Sequence, residues 1–279
     1  MKLRSLCAAT LVAAFGVAVV GTSTAEAAPN ELASKGKVTV TEGTTDGNDG
    51  NKQDPEKPTE PIVDPGGEEI TGNPDAGSLV IQVVSNMDFG SISRSTNAVV
   101  KEAKPVEIEG AVTDPVTGEV VLDANGNAQG DGVVRSRGQY VQWADLRKDT
   151  TSGYTLSAKM TQQFKETGGA ELVGATIKYS NGIINSAAVG TWGQIDSTSF
   201  TLDDTNSVNV ASATGAGVGK GVYFVEYGQS TDYKDISGTA NPTDTTGKSV
   251  FLNVPAATAS SVPTDVQYNA VVTWTLTAE

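Results

Sequence analysis

Along Val266 to Glu279 apolar and polar side chains alternate with a period of two. Val266, Tyr268, Ala270, Val272, Trp274 and Leu276 fall on one side, and Gln267, Asn269, Val271, Thr273, Thr275 and Thr277 on the other. The pattern predicts a long β-strand with one apolar face and one mainly hydroxyl-bearing face, tied into a sheet and not left as a fraying tail. A shorter copy lies upstream, where Tyr154-Thr-Leu-Ser-Ala158 matches Trp274-Thr-Leu-Thr-Ala278 position for position. Two strands with the same inward aromatic and leucine are expected to form two walls of one core.

The remaining pattern is a series of short runs punctuated by turns. Strands are predicted at Leu79–Val84, Lys101–Glu109, Glu119–Leu122, and from Val133 through Gln139–Trp143. Others follow at Tyr154–Phe164, Ala175–Tyr179, Ser199–Leu202, Val222–Tyr227 and Lys248–Val254. Met87-Asp-Phe-Gly90 and Asp114-Pro-Val-Thr-Gly118 read as turns, and Asn125-Gly126 suits a tight hairpin connection. No segment keeps a 3.6-residue period, so the expectation is an all-β fold: one sandwich or barrel-like domain of about ten strands over residues 78–279.

The N-terminal part differs. Lys2 and Arg4 precede an apolar run from Leu6 to Val20, and Ala25-Glu-Ala27 supplies small residues at the two positions a signal peptidase reads. Residues 1–27 are therefore expected to be a secretory leader, cut after Ala27 (or Ala28); the run is short for a bilayer span, and no second one is long enough. Cys7, near the start of that run, is badly placed for lipidation and is the chain's single cysteine. A mature chain would have no disulfides and would rest on core burial alone, which suits a Gram-positive exterior.

Residues 28–77 form an acidic segment with six of the 11 prolines, and Asp54 to Pro65 reads as an extended, polyproline-like spacer. Within it, Val38 and Val40 alternate with polar residues, so 36–42 is a candidate strand crossing back to the main sheet; a wholly disordered N-terminus is the alternative.

The 279 residues carry a net charge of −14, and −15 once a leader of net +1 is removed. That charge opposes nucleic acid, anionic lipid and long-range attraction to teichoic-acid phosphate.

The two matching strands carry a family resemblance. Tyr268-x-Ala270-x-x-Thr273-Trp274-Thr275-Leu276 resembles the distal motif of the WxL cell-wall-binding domain of Gram-positive surface proteins. Gly153-Tyr154-Thr155-Leu156-Ser157 with Gln163-Phe164 resembles its proximal motif, with Tyr154 standing where the family has Trp. Trp143 has the wrong spacing for that place. Asn86-Met-Asp-Phe-Gly90, Leu172-Val-Gly-Ala-Thr-Ile177 and Asn253-Val-Pro255 are further landmarks. The resemblance covers residues 78–279. It implies non-covalent retention on peptidoglycan or another wall polymer through Tyr154, Leu156, Trp274 and Leu276, and work beside other surface proteins. Alternation by itself makes Tyr154 and Trp274 inward core rings, in which case the wall-contacting surface lies elsewhere.

Other chemistry is poorly supplied. There is no histidine, so the common triads and zinc sites lack their ligands. Asp123-Ala-Asn-Gly-Asn127 with Asp131 has oxygens at alternate positions, but Ala128 and Val134 stand where a calcium loop wants Gly and Glu, so a hairpin turn is expected. Gly215–Gly221 ends in Gly-Lys-Gly without the hydroxyl of a phosphate loop, and Thr214 stands where its first glycine belongs. Asp203 and Asp204 are adjacent and point to opposite faces. No cofactor, no metal and no enzymatic activity are expected, and no sorting motif follows Trp274. The reading is a secreted surface protein held on the wall, with a structural or adhesive subunit of a surface complex as runner-up and a carbohydrate-active enzyme third.

Overall fold

A computed structural model describes residues 37–38, 41–45, 52–148 and 153–279. The leader and its cleavage point lie outside them. Of the candidate strand at 36–42, Lys37, Val38, Thr41 and Glu42 are described and lie in no strand; its other positions are outside.

Among the described residues the chain forms seventeen strands and one short helix. The first eight are β1 (Gln53–Asp54), β2 (Lys57–Val63), β3 (Ile70–Gly72), β4 (Leu79–Ser85), β5 (Val99–Glu102), β6 (Val106–Ala111), β7 (Gly130–Arg137) and β8 (Gln139–Asp145). Then come β9 (Tyr154–Lys165), β10 (Thr176–Tyr179), β11 (Gly182–Ser186), β12 (Gln194–Ile195) and β13 (Phe200–Leu202). β14 (Ser207–Ala213), β15 (Gly221–Tyr227), β16 (Val250–Val254), α1 (Ala256–Ser261) and β17 (Asn269–Ala278) complete the set.

All ladders are antiparallel and build four sheets, ordered β1-β2-β6-β7, β13-β10-β16-β5, β11-β15-β8-β4-β3 and β12-β14-β9-β17. The result is sandwich-like and all-β, with no closed barrel.

The five-stranded sheet is central because β8 is buried at all seven positions. Alternation along β8 and β15 explains how. Val141, Trp143, Tyr223, Val225 and Tyr227 enter the main core, which the β9 and β10 sheets cover. Tyr140 and Phe224 point the other way, into a smaller core with Ile62 of β2 and Val106 and Ile108 of β6.

The run predicted to pass unbroken from Val133 to Trp143 is cut at Gly138, where the chain leaves the small sheet and enters the central one. The crossing is tight: a Cβ at residue 138 would overlap the carbonyl oxygens of Tyr227 and Gly228. Only glycine allows that approach.

The Pro-rich segment is not an extended spacer. β1, β2 and β3 arise from it, and Ile62 and Ile70 are core residues. Proline tolerates this because its φ is already extended, and β2 joins the β6 ladder only through Ile62 and Val63, beyond Pro58 and Pro61. The turn between β1 and β2 is clamped from below. Arg137, buried at the end of β7, gives both carboxylate oxygens of Asp54 a hydrogen bond, from Nε at 2.7 Å and Nη2 at 2.6 Å. Its Nη1 also lies 3.4 Å from Glu56, whose carboxylate accepts both the N–H and the hydroxyl of Ser230. Asn185 Nδ2 donates to the carbonyl of Pro55.

One guanidinium thus faces several acids, because Glu226 is also fully buried beside it. Its Oε1 accepts the Gly138 N–H at 2.9 Å, and its Oε2 has no partner. Burial, reinforced by the Glu56 and Asp54 charges, pushes the Glu226 carboxyl well above its ordinary value.

Two outcomes follow from this geometry. Gly138→Ala forces the two sheets apart at their crossing and costs at least about 1–3 kcal/mol in a denaturant melt. For Glu226 the folded protein holds a proton that the unfolded chain releases above an ordinary value of 4.5, so wild-type stability falls as pH rises through that region. Glu226→Gln removes this contribution to the dependence. Its melting temperature relative to wild type is expected to climb from pH 4.5 to pH 8, and a pH-independent difference would contradict the assignment.

Candidate functional site

The two motif strands are not opposite walls. β9 and β17 are hydrogen-bonded neighbours in one sheet, and their register is centred on Leu156 opposite Leu276. Around that centre Thr155 faces Thr277, Ser157 faces Thr275, Ala158 faces Trp274 and Tyr154 faces Ala278. Each aromatic therefore sits across from the other motif's alanine, whose small side chain leaves room for the ring. The near-identity of the two segments is a pairing rule, which sequence comparison cannot distinguish from two separate walls.

The aromatics head two ring clusters at opposite ends of this ladder. Tyr154 meets Trp143 edge-on at 6.0 Å, Trp143 stacks on Tyr223 at 5.8 Å, and Trp192 closes on Tyr223 at 6.4 Å. Trp274 meets Tyr179 edge-on at 6.2 Å, and Tyr179 packs with Phe200 at 4.7 Å and Tyr227 at 5.0 Å. Trp143, set aside on spacing, is the buried partner of the proximal motif.

Tyr154 and Leu156 are wholly buried, whereas Trp274 and Leu276 are only partly buried on their edge strand. The small pocket beside Trp274, lined also by Ser85, Gln139, Tyr179 and Tyr227, has room for about one water molecule and none for a sugar ring. The other landmarks enter the same core through Phe89, Leu172, Ala175, Ile177 and Val254.

Burial raises the Tyr154 phenol well above its ordinary value. Gly193 and Gly219 border its hydroxyl, so the glycine-rich stretch before β15 is a wall of the Tyr154 pocket. Its lysine is occupied as well: Lys220 Nζ bonds Asp145 at 3.0 Å, and Arg147 grips the same carboxylate from Nε at 2.9 Å. Burial of Asp145 opposes its ionisation, but these two cations outweigh it and hold the pKa below the ordinary value. Arg147 also donates to the carbonyl of Gly153, anchoring the start of the proximal motif.

The remaining carboxylates serve turns. Asp123 Oδ1 accepts the N–H groups of Asn125 and Asn127 in the expected hairpin, and Asp131 pairs with Arg135. Asp203 Oδ1 accepts the N–H groups of Thr205 and Asn206 and the Thr205 hydroxyl, which together lower its carboxyl to about 2.

What the motif strands show to solvent is their other face. Asn209, Ser157 and Thr275 lie side by side across β14, β9 and β17, with Thr155 and Thr277 in the next row, where the third position, Ser212 of β14, is buried and donates its hydroxyl to Asp196. Ser207, Lys159 and Thr273 form a third, and Lys159 is the single charge in the three rows. Thr161 and Thr273 share a hydroxyl–hydroxyl bond of 2.7 Å. The hydroxyl character of β17 was legible from its alternation; the contribution of β14 was not, because its small residues gave no strand signal.

Four antiparallel sheets around a twinned strand pair define an all-β sandwich module, and among the described residues no His, Cys, Asp and Glu group could hold a metal ion. The chain belongs to the WxL domain family: a family model described as WxL domain surface cell wall-binding matches residues 27–279. That match begins well before Ser78, so it takes in the clamped β1–β3 segment as well as the motif-bearing part. No curated protein and no solved structure matches the chain. The family is one of cell-wall binders and not of enzymes, which places the chain at the cell surface with a wall polymer as partner. No helix among the described residues is long and apolar enough to cross a membrane.

The burial pattern orders the effect of single substitutions. Leu156→Ala is expected to cost about 2–5 kcal/mol as a full core truncation, and Trp274→Ala about half of the 3–5 kcal/mol of a fully buried ring. Thr275→Ala, on the outward face, stays within about 0.5 kcal/mol. Chemical-denaturation midpoints of the three variants test this order.

Proposed function

We propose that this chain is exported and holds non-covalently to peptidoglycan through the outward hydroxyl face of β14, β9 and β17, without catalysing a reaction. The observation that carries this reading is the pairing of the two motifs. It turns Tyr154, Leu156, Trp274 and Leu276 toward the core, so their strands offer a ligand the other face, chiefly Thr155, Ser157, Thr273, Thr275 and Thr277 with Asn209 of β14 beside them. The aromatic and leucine positions then act on binding by building the sheet.

The chemistry of the face suits the ligand. A row of hydroxyl and amide groups exchanges hydrogen bonds with the hydroxyls and acetamido groups of a glycan. Lys159 is the one charge within the rows and the Glu279 carboxylate, which accepts the Thr155 hydroxyl, borders them, so little of the net −14 bears on the contact with an anionic polymer.

A role beside partner surface proteins is a second reading, favoured by one feature. Val112, Val116, Leu122, Val133 and Val134 are all exposed around the hairpin between β6 and β7, more apolar surface than a lone turn requires.

Purified protein and isolated walls test the first reading. Ser157→Glu with Thr275→Glu places two acids in the middle row and is expected to weaken wall binding about tenfold or more, like-charge and desolvation terms each being of kcal/mol size. The two acids face each other across the β9–β17 ladder, so its melting temperature is expected to fall by a few degrees, and binding is compared at a temperature where a melt shows both proteins fully folded. Wild-type affinity in that variant would overturn the assigned face. On intact cells a chaotrope should release the native protein, and retention until muramidase treatment would overturn non-covalent attachment.

A further inference from the structure

β17 has a neighbour on one edge only. It stands last in its sheet, and among the described residues its ladder runs to β9 alone. A ten-residue strand so placed presents outward-pointing N–H and C=O groups, a template for another strand. Edges of this length are commonly blunted by charge, proline or a bulge. No charged residue and no proline stands between Asn269 and Ala278, and the register irregularities stop at Val272. The inner row is also unfinished. Tyr154, Leu156, Ala158 and Met160 of β9 are at most 1% exposed, whereas Ala270, Val272, Trp274 and Leu276 of β17 are only partly covered.

The neighbour that β17 already has shows which strand fits. β9 is an antiparallel segment reading aromatic-Thr-Leu-hydroxyl-Ala and centred on Leu276, and β17 itself reads the same way. A second copy of β17 laid antiparallel on the free edge about Leu276 sets Trp274 against Ala278, Thr275 against Thr277 and Leu276 against its equivalent. Those are the pair types that β9 and β17 already make. A two-fold axis perpendicular to the sheet keeps both inner rows on the same side, which is the closed geometry expected of an isologous dimer.

We propose that β17 is a homodimerisation edge: two copies pair β17 to β17 about Leu276, joining their motif sheets into one continuous sheet. The five-pair match of the strand to itself favours a second copy over an unrelated strand, because a foreign strand would have to reproduce the small-opposite-aromatic pattern at both ends. The strand itself is uncharged, and the flanking Glu279 of each copy falls opposite Thr273 of the other and not opposite another acid.

Sedimentation of the purified protein without wall material reads this directly and independently of wall binding. Wild type is expected to show a concentration-dependent monomer–dimer equilibrium. Thr275→Lys with Thr277→Lys sets lysines opposite each other twice across the seam, and the dimer dissociation constant should rise about tenfold or more. A thermal melt confirms that the variant is folded. As a second reading, Thr275→Cys with Thr277→Cys in a Cys7→Ser background should yield a disulfide-linked dimer on mild oxidation, since opposed strand residues lie within disulfide reach. A wild-type protein that sediments as a monomer at every concentration, or cysteines at 275 and 277 that give no linked dimer, overturns the proposal.

Discussion

The described sheets are arranged around a strand that is buried at every position. A strand such as β8, covered at every position from Gln139 to Asp145, needs a packed layer on each face, because its side chains point alternately both ways. The motif sheet and its neighbour supply one layer. The other comes from residues whose composition looks unfit for a core, and it is fixed by charge as well as by apolar contact. Placing Arg137 and Asp54 out of water is costly, and such a pair contributes little net stability compared with an apolar substitute. What it does is set position. The guanidinium donates to both Asp54 oxygens in one bidentate geometry, and so fixes where the acidic segment lies across Tyr140 and Phe224.

How much of this was legible in the sequence depended on whether a strand advertised itself by alternation. Leu79–Ser85, Tyr154–Lys165, Gly221–Tyr227, Val250–Val254 and Asn269–Ala278 all did, since each has large apolar side chains turned to a core. Gln53–Val63 did not. Its strands are specified by a distant arginine and by two isoleucines among prolines and acids, and no local window contains that information. β14 failed for a different reason. Its Ala211 and Ala213 fill the space above Leu156 and Tyr154 with almost no bulk, so the periodic signal vanishes where packing is tightest. The continuous reading through Gly138 shows the converse: two strands of different sheets are adjacent in sequence, and a single glycine without a side chain separates them.

The site divided in the same way. Tyr154, Leu156, Trp274 and Leu276 were identifiable as a set, and their inward direction followed from period two. Their mutual arrangement did not follow, because two matching strands satisfy the same alternation whether they face each other or lie side by side. Only the register separates the cases, and with it the position of the face available to a wall polymer. The Gly-Lys-Gly stretch resolves similarly, from an apparent anion loop into a wall of the Tyr154 pocket with its lysine held by Asp145.

The pairing of β9 with β17 also bears on time. Tyr154 and Ala278 are partners across more than a hundred residues of chain, and contacts of that span are the slow ones in folding. A chain emerging from its N-terminus carries an apolar β9 row with no neighbour on that edge until the last strand has followed. Assembly of the motif sheet thereby waits on β17. A polypeptide that has lost β17 cannot close this edge, and the β9 row then stays open to solvent.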